Sequence, residues 1–369
     1  MSTQQVRFNP RNNPEFVKEL RMRVNSYFKD KGISKYANSE MKVKTIALVS
    51  LYFIPFILML TGVVTGFWPI MAMWILMSLG MSGIGLSVMH DANHGAYSQN
   101  PKVNKVLGYL VNFLGAYHVN WKIQHNVLHH SYTNVEGHDD DIENALMRFS
   151  PSQQRRVLNR FQAYYAPFLY GLLTINWLVL KDFKQVIKYN QENLLKAQKL
   201  TFPKALTEVI VNKIWYVALT LVLPMIVVDL AWWQILIGFL TMHFISGVIL
   251  SFIFQLAHVI EETEFFEADD TGSIENNWAV HQLMTTANFA RKNKILSWYV
   301  GGLNYQVEHH LFPNICHVHY REISKVIKKT AEEYGVPYYE HRTFFGAVRS
   351  HFALLNQLGT GSYDKKIAA

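Results

Sequence analysis

Seven histidines stand in three short stretches: His90 and His94 in "HDANH", His125, His129 and His130 in "HNVLHH", and His309 and His310 in "QVEHH", which also holds Gln306 and Glu308. A spacing of four puts His90 and His94 on one face of a helix, and His125 and His129 likewise, with His130 around the corner. Neutral imidazole is the commonest nitrogen ligand for iron, zinc and copper. One such pair alone is more often surface or packing chemistry. With His258, the first polar residue after a long apolar block, the clusters offer eight imidazoles and one amide. That exceeds the four to six ligands of a single ion, so two metals are the natural count.

A zinc hydrolase of the protease type needs Glu directly after the first histidine, and here Asp91 stands there. Asp91 suits an acceptor that orients an imidazole, a role equally open to Asp139, Asp141 and Glu308. Ordinary loop or capping duty would explain these acids as well. His118, His138, His281, His317 and His319 lie near the clusters without matching spacing, and His243 stands alone in an apolar run, so packing or simple hydrogen bonding is expected of each. The single cysteine, Cys316, excludes an intramolecular disulfide framework and a Cys-rich metal site.

The elements that must position these residues are apolar blocks. The chain is 50% hydrophobic and 14% aromatic, and no charged residue or histidine occurs from Thr45 to Met89. That length suits two crossings of about 20 residues each, with Thr65 to Pro69 as breakers. A second block runs from Ile214 to Ala257, turning at Asp229 to Trp233. Buried helices of a soluble protein are the alternative, but neither turn carries Lys or Arg, which instead fill the other segments and mark them as cytoplasmic. The expected fold is an all-α integral membrane protein: four transmembrane helices in two hairpins under a helical cytoplasmic cap with a histidine-rich dimetal site. Its parts are an amino-terminal arm (1–43), hairpin one (44–89), a segment with the first two clusters (90–206), hairpin two (207–257) and a segment with the third (258–369). Both termini and the metal site are expected on the cytoplasmic side. The polar start lacks a cleavable leader, so the first span is expected to direct insertion.

Residues 161–180 are also long enough to cross. A single crossing would put the histidine clusters on opposite faces, so this segment, with Tyr164, Tyr165, Tyr170 and Trp177, is read as interfacial or re-entrant. Lys181 to Lys204 reads as an amphipathic, solvated helix. The net charge of +8 fits anionic lipid and an acidic protein partner, and nucleic acid is not needed to explain it.

The three clusters in this order, divided by a second hairpin, resemble the membrane fatty acid desaturase family, together with "HHSYTNVEGHDDDI" and "WAVHQLMTTANF". The resemblance covers roughly Ser82 to Tyr338. "GGLNYQVEHHLFPNI" is similar to the front-end subgroup, in which glutamine replaces the first histidine of the third cluster, and this implies Gln306 as a ligand and His258 as another. It further implies two irons, dioxygen as co-substrate, and insertion of a cis double bond into a long-chain, already unsaturated acyl chain, linoleoyl or delta-6 in type, borne on CoA or a lipid. Two departures stand out: Gly302 replaces a common histidine, and Phe254 stands where some acyl-CoA relatives place an Asn. No His-Pro-Gly-Gly haem motif occurs, so a separate electron donor such as ferredoxin or cytochrome b5 is expected. A hydroxylase on the same scaffold is the enzymatic competitor. A histidine-lined metal transporter is the remote one, since only His243 is mid-span.

Overall fold

The computed structural model describes residues 6–143 and 145–367. Among the described residues four helices are long and apolar enough to cross a membrane: Ser39–Leu60, Phe67–Asn93, Phe202–Val227 and Trp232–His258. The first starts where the Asn38 side chain accepts from the Met41 N–H, a standard N-cap. It crosses the second so closely that a Cβ on Gly80 would lie 2.5 Å from the Tyr52 backbone nitrogen. The second also packs along the fourth, where Ser246 donates to the Ser78 carbonyl at 3.1 Å. Small residues at such crossings let apolar helices approach in the absence of a hydrophobic drive between them.

Several boundaries differ from the sequence reading. The third long helix begins at Phe202, five residues before the expected start of the second hairpin at 207, because Lys204 and Glu208 interrupt the apolar signal of its first turns. Lys181 to Lys204 is not one solvated helix. It breaks into Asp182–Gln191, Leu194–Ala197 and the start of the third long helix, and Asp182, Gln185, Val186 and Tyr189 are buried. The reason is a buried ion pair from Asp182 to Lys213, together with Gln185 donating to Gln124 at 2.6 Å. The all-α expectation also needs amending: short parallel pairings join Arg7–Phe8 to Ser273–Ile274 and Ala287–Phe289 to Tyr339–His341. Strands of two or three residues are too short to leave a periodicity. The amino-terminal arm folds as Pro14–Lys31 and buries Phe16, Leu20 and Val24 with Ile323, Ile327 and Ala331 of Tyr320–Glu333.

The ambiguous apolar island is a broken helix, Val157–Gly171 and Leu173–Gln191, bent by 62°. It lies against the fourth long helix through glycines: a Cβ on Gly247 would come 2.6 Å from the carbonyl oxygens of both Tyr170 and Gly171. Beside that crossing His243 is bonded on both ring nitrogens, to the Thr174 hydroxyl at 2.9 Å and the Tyr216 hydroxyl at 3.0 Å, as expected of a histidine held by packing and hydrogen bonds. A Gly247→Leu variant should lose about 3 kcal/mol, read as a lower melting midpoint in detergent. An unchanged midpoint would contradict the close crossing.

Candidate metal centre

Four segments bring the histidine clusters together. The second long helix ends in a π-turn, Ile84–Val88, directly ahead of Met89–Asn93, which carries His90. A second π-turn, Ile123–His129, holds His125 and His129. Such wide turns recur where a helix must re-aim side chains. His258 is the last residue of the fourth long helix, and the wholly buried short helix Gln306–Leu311 supplies Gln306, His309 and His310. Gly301 and Gly302, at φ of 62° and 66°, let the preceding loop press on the first π-turn. The Gly302 departure has a steric cause, since a Cβ there would come 2.9 Å from that of His317.

Nitrogens of His90, His94, His125 and His309 all lie within 4.8 Å of one another, as do those of His129, His258 and His310, and of His130, His309 and His310. His90 Nε2 is 3.0 Å from His125 Nε2, and His130 Nε2 is 2.9 Å from His309 Nε2. Two nitrogens bound at right angles about 2.1 Å from one ion would sit about 3.0 Å apart. Nε2 of His94, His129, His258 and His310 is buried without a partner, and so is the Gln306 amide nitrogen. Turning that amide by half a rotation would present its oxygen instead. Buried polar atoms are normally bonded, so this convergence of unpartnered ones fits a bound cation.

The electrostatics agree. Burial holds His94, His125, His130, His309 and His310 well below the ordinary imidazole range, which keeps them neutral and able to ligate. At His129 burial pulls the same way, but Asp139 and Asp141 outweigh it and raise the ring to about 9.

The outward nitrogens of His129, His258, His309 and His310 are tied down. His129 Nδ1 lies 3.1 Å from both oxygens of Asp139 and 3.4 Å from Asp141. His258 Nδ1 donates to the Thr285 carbonyl at 3.1 Å, His310 Nδ1 to Gln282 Oε1 at 2.8 Å, and His309 Nδ1 meets the Tyr320 hydroxyl at 3.2 Å. These bonds fix the tautomer that turns Nε2 inward. Asp91 bonds to His317 at 2.8 Å and lies 3.9 Å from His90 Nδ1. Glu308 sits differently from its expected role: its carboxylate accepts from Asn288 and Tyr338, each at 2.8 Å, and not from an imidazole. Burial pushes that carboxyl up to about 7 against those two bonds.

Gln282, Thr285 and Tyr320 were not singled out from the sequence. The first two lie in "WAVHQLMTTANF", but neutral polar residues follow no ligand spacing. The histidines expected to serve packing and hydrogen bonds do so: His281 Nε2 bonds the Thr133 carbonyl at 2.8 Å, His319 Nε2 that of Tyr36 at 3.2 Å, and His138 Nδ1 that of Glu136 at 3.1 Å. His118 packs on the rings of Tyr109 and Tyr117. Cys316 is buried and free.

The family model described as fatty acid desaturase matches residues 66–342. The chain is 36% identical over 353 residues to the sn-1 linoleoyl-lipid 6-desaturase of Synechocystis sp., covering 94% of this chain and 96% of that relative. It is 36% identical over 356 residues to the protein of the same name from Arthrospira platensis, covering 95% of each. To the acyl-lipid (8-3)-desaturase of Physcomitrium patens it is 32% identical, over 94% of this chain and 72% of that one.

Replacing Asp139 by Leu should weaken metal binding by about 10–100-fold, because His129 loses its orienting acceptor. Glu308→Gln should leave metal content unchanged. Titration of the metal-free protein followed by elemental analysis measures both, and the reverse pattern would contradict the partners described.

Proposed function

The chain belongs to the fatty acid desaturase family, and from that premise we propose that it inserts a cis double bond on the carboxyl side of an existing one, in a linoleoyl-type chain carried on a membrane lipid. It is an oxygen-dependent oxidoreductase acting on fatty acyl chains. The observation that carries the finer reading is the near full-length likeness to two proteins named as linoleoyl-lipid 6-desaturases, supported by the Gln306 substitution in the third cluster. The hydroxylase reading is not favoured by these relatives. The transporter reading is not favoured either, since His243 is fully bonded and the clustered imidazoles sit at helix ends.

His90, His94, His125, His129, His130, His258, Gln306, His309 and His310 would hold two iron ions. Bound there, iron supplies the activation of dioxygen that removal of hydrogen from an unactivated methylene requires and that no side chain provides. The chain's own residues do the rest. Asp139, Gln282, Thr285 and Tyr320 hold the rings in register, and the burial of the centre excludes water. Trp121, tilted, and Phe254, edge-on, lie with ring centroids 4.6 Å and 5.7 Å from that of His125 and would wall the site where the acyl chain lies. The acyl hydrogens supply half the electrons that reduce dioxygen to water. The other half would come from a separate acidic carrier such as ferredoxin or cytochrome b5.

The four long helices form two hairpins in this reading, with both termini and the metal site on the cytoplasmic face. His243 lies 258 − 243 = 15 residues before His258, about 22 Å along the helix axis. The apex of the broken helix meets the fourth helix at that depth, which supports a re-entrant segment whose legs return to one face. Its outer side bares Val157 at 88% and Tyr164 at 82% exposure, with Phe161 and Phe168 also exposed, a surface suited to lipid.

Expression in a host that lacks polyunsaturated acids, supplied with linoleate and a compatible electron donor, should yield a triunsaturated acid with its new bond at carbon 6 by gas chromatography with mass spectrometry. His309→Ala should yield none. A new bond on the methyl side would overturn the carboxyl-side reading, and a hydroxylated acid would overturn desaturation.

A further inference from the structure

We propose that His317, bridging Lys44 to Asp91, is a positioning residue that sets the orientation of the His90 imidazole. The inference rests on the two-metal reading above. Lys44 is only 1% exposed, near the start of the first long helix, and its Nζ lies 2.7 Å from His317 Nε2. An ammonium has three donors and no acceptor, so His317 Nε2 must accept and its proton must sit on Nδ1. That Nδ1–H donates to Asp91 Oδ2 at 2.8 Å, and the backbone N–H of His317 reaches the same oxygen at 3.2 Å. The other oxygen, Oδ1, is left facing His90 Nδ1 at 3.9 Å, a buried ring nitrogen with no other partner.

The consequence is directional. A carboxylate facing His90 Nδ1 favours the tautomer with its proton there, leaving the Nε2 lone pair toward His125 Nε2. His129 has Asp139 for the same purpose, held by the backbone N–H groups of Asn134 and Asp141 at 2.9 and 3.0 Å. Asp91 has instead a side chain from the far end of the sequence, and Lys44 offsets its buried charge through the ring between them. The unit ties the first helix, the first histidine cluster and the segment after the third cluster into one arrangement. Asp91, Cys316 and His317 also lie within 4.8 Å of one another, but a lysine donor on His317 Nε2 is incompatible with a cation in that place.

The test is titration of metal-free protein with Co²⁺, followed by absorption, with thermal unfolding of the metal-free variants as a separate readout of folding. His317→Gln can still accept from Lys44 and donate to Asp91, whereas His317→Leu can do neither. His317→Leu should weaken one of two Co²⁺ sites by about 10–100-fold and spare the other, His317→Gln should titrate close to wild type, and Lys44→Met should weaken the same site without adding to the loss in the double variant. Equal losses in His317→Gln and His317→Leu would overturn the relay in favour of direct ligation. Wild-type titrations in all three variants, or losses that only follow the melting midpoint, would overturn it outright. A wild-type chain that binds no Co²⁺ would overturn the metal centre itself, a different and distinguishable failure.

Discussion

Eight imidazoles crowded together, seven of them buried, with nitrogens within 4.8 Å of one another in each group and about 3 Å apart in two pairs, are the constraint on which the rest of the structure depends. Lone pairs facing one another repel, and each unsatisfied buried polar atom costs about 1–3 kcal/mol. Six of the imidazole nitrogens, Nε2 of His94, His129, His258 and His310 and Nδ1 of His90 and His130, and the Gln306 amide nitrogen are in that condition. Their summed cost is comparable to the whole stability of an ordinary domain, about 5–15 kcal/mol. Ligation of a cation by these atoms would relieve that cost.

The surrounding architecture follows from the need to hold the rings still without help from the cation. Each histidine stands on a short, buried helical piece at the end of a longer element: a π-turn for His125 and His129, a helix terminus for His258, six buried residues for His309 and His310. Several outward nitrogens are anchored by groups from other segments, those of His258 and His310 by the Thr285 carbonyl and Gln282. Parallel strand pairings of two or three residues then latch the distant segments together at Ser273–Ile274 and Ala287–Phe289. Small residues do the equivalent work in the apolar region, where Gly80 and Gly247 permit backbone contact. The membrane part is thus a rigid base, and the chemistry is carried just beyond its helix ends.

Much of this was legible in the sequence, because ligand sets and apolar blocks both have spacing rules. The three clusters and His258 do converge, and four long apolar helices exist. Where the reading failed, the signal was absent or masked. Lys204 and Glu208 in its first turns hide the start of the third long helix at Phe202, and Asp182 looks like a solvent-exposed acid until Lys213 is brought beside it from 31 residues away. Glu308 was open to either an imidazole-orienting or an ordinary role, and only the fold, by turning it toward Asn288 and Tyr338, decides between them. His317 had no matching spacing, and its bonds to Lys44 and Asp91 arise only from tertiary packing.

X-ray absorption at the iron edge of the purified protein tests the central claim most directly. The account predicts two irons per chain, a first shell of light nitrogen or oxygen atoms at about 2.1 Å, and the outer-shell scattering of several imidazoles on each. One iron per chain, or a sulfur shell from Cys316, would contradict it.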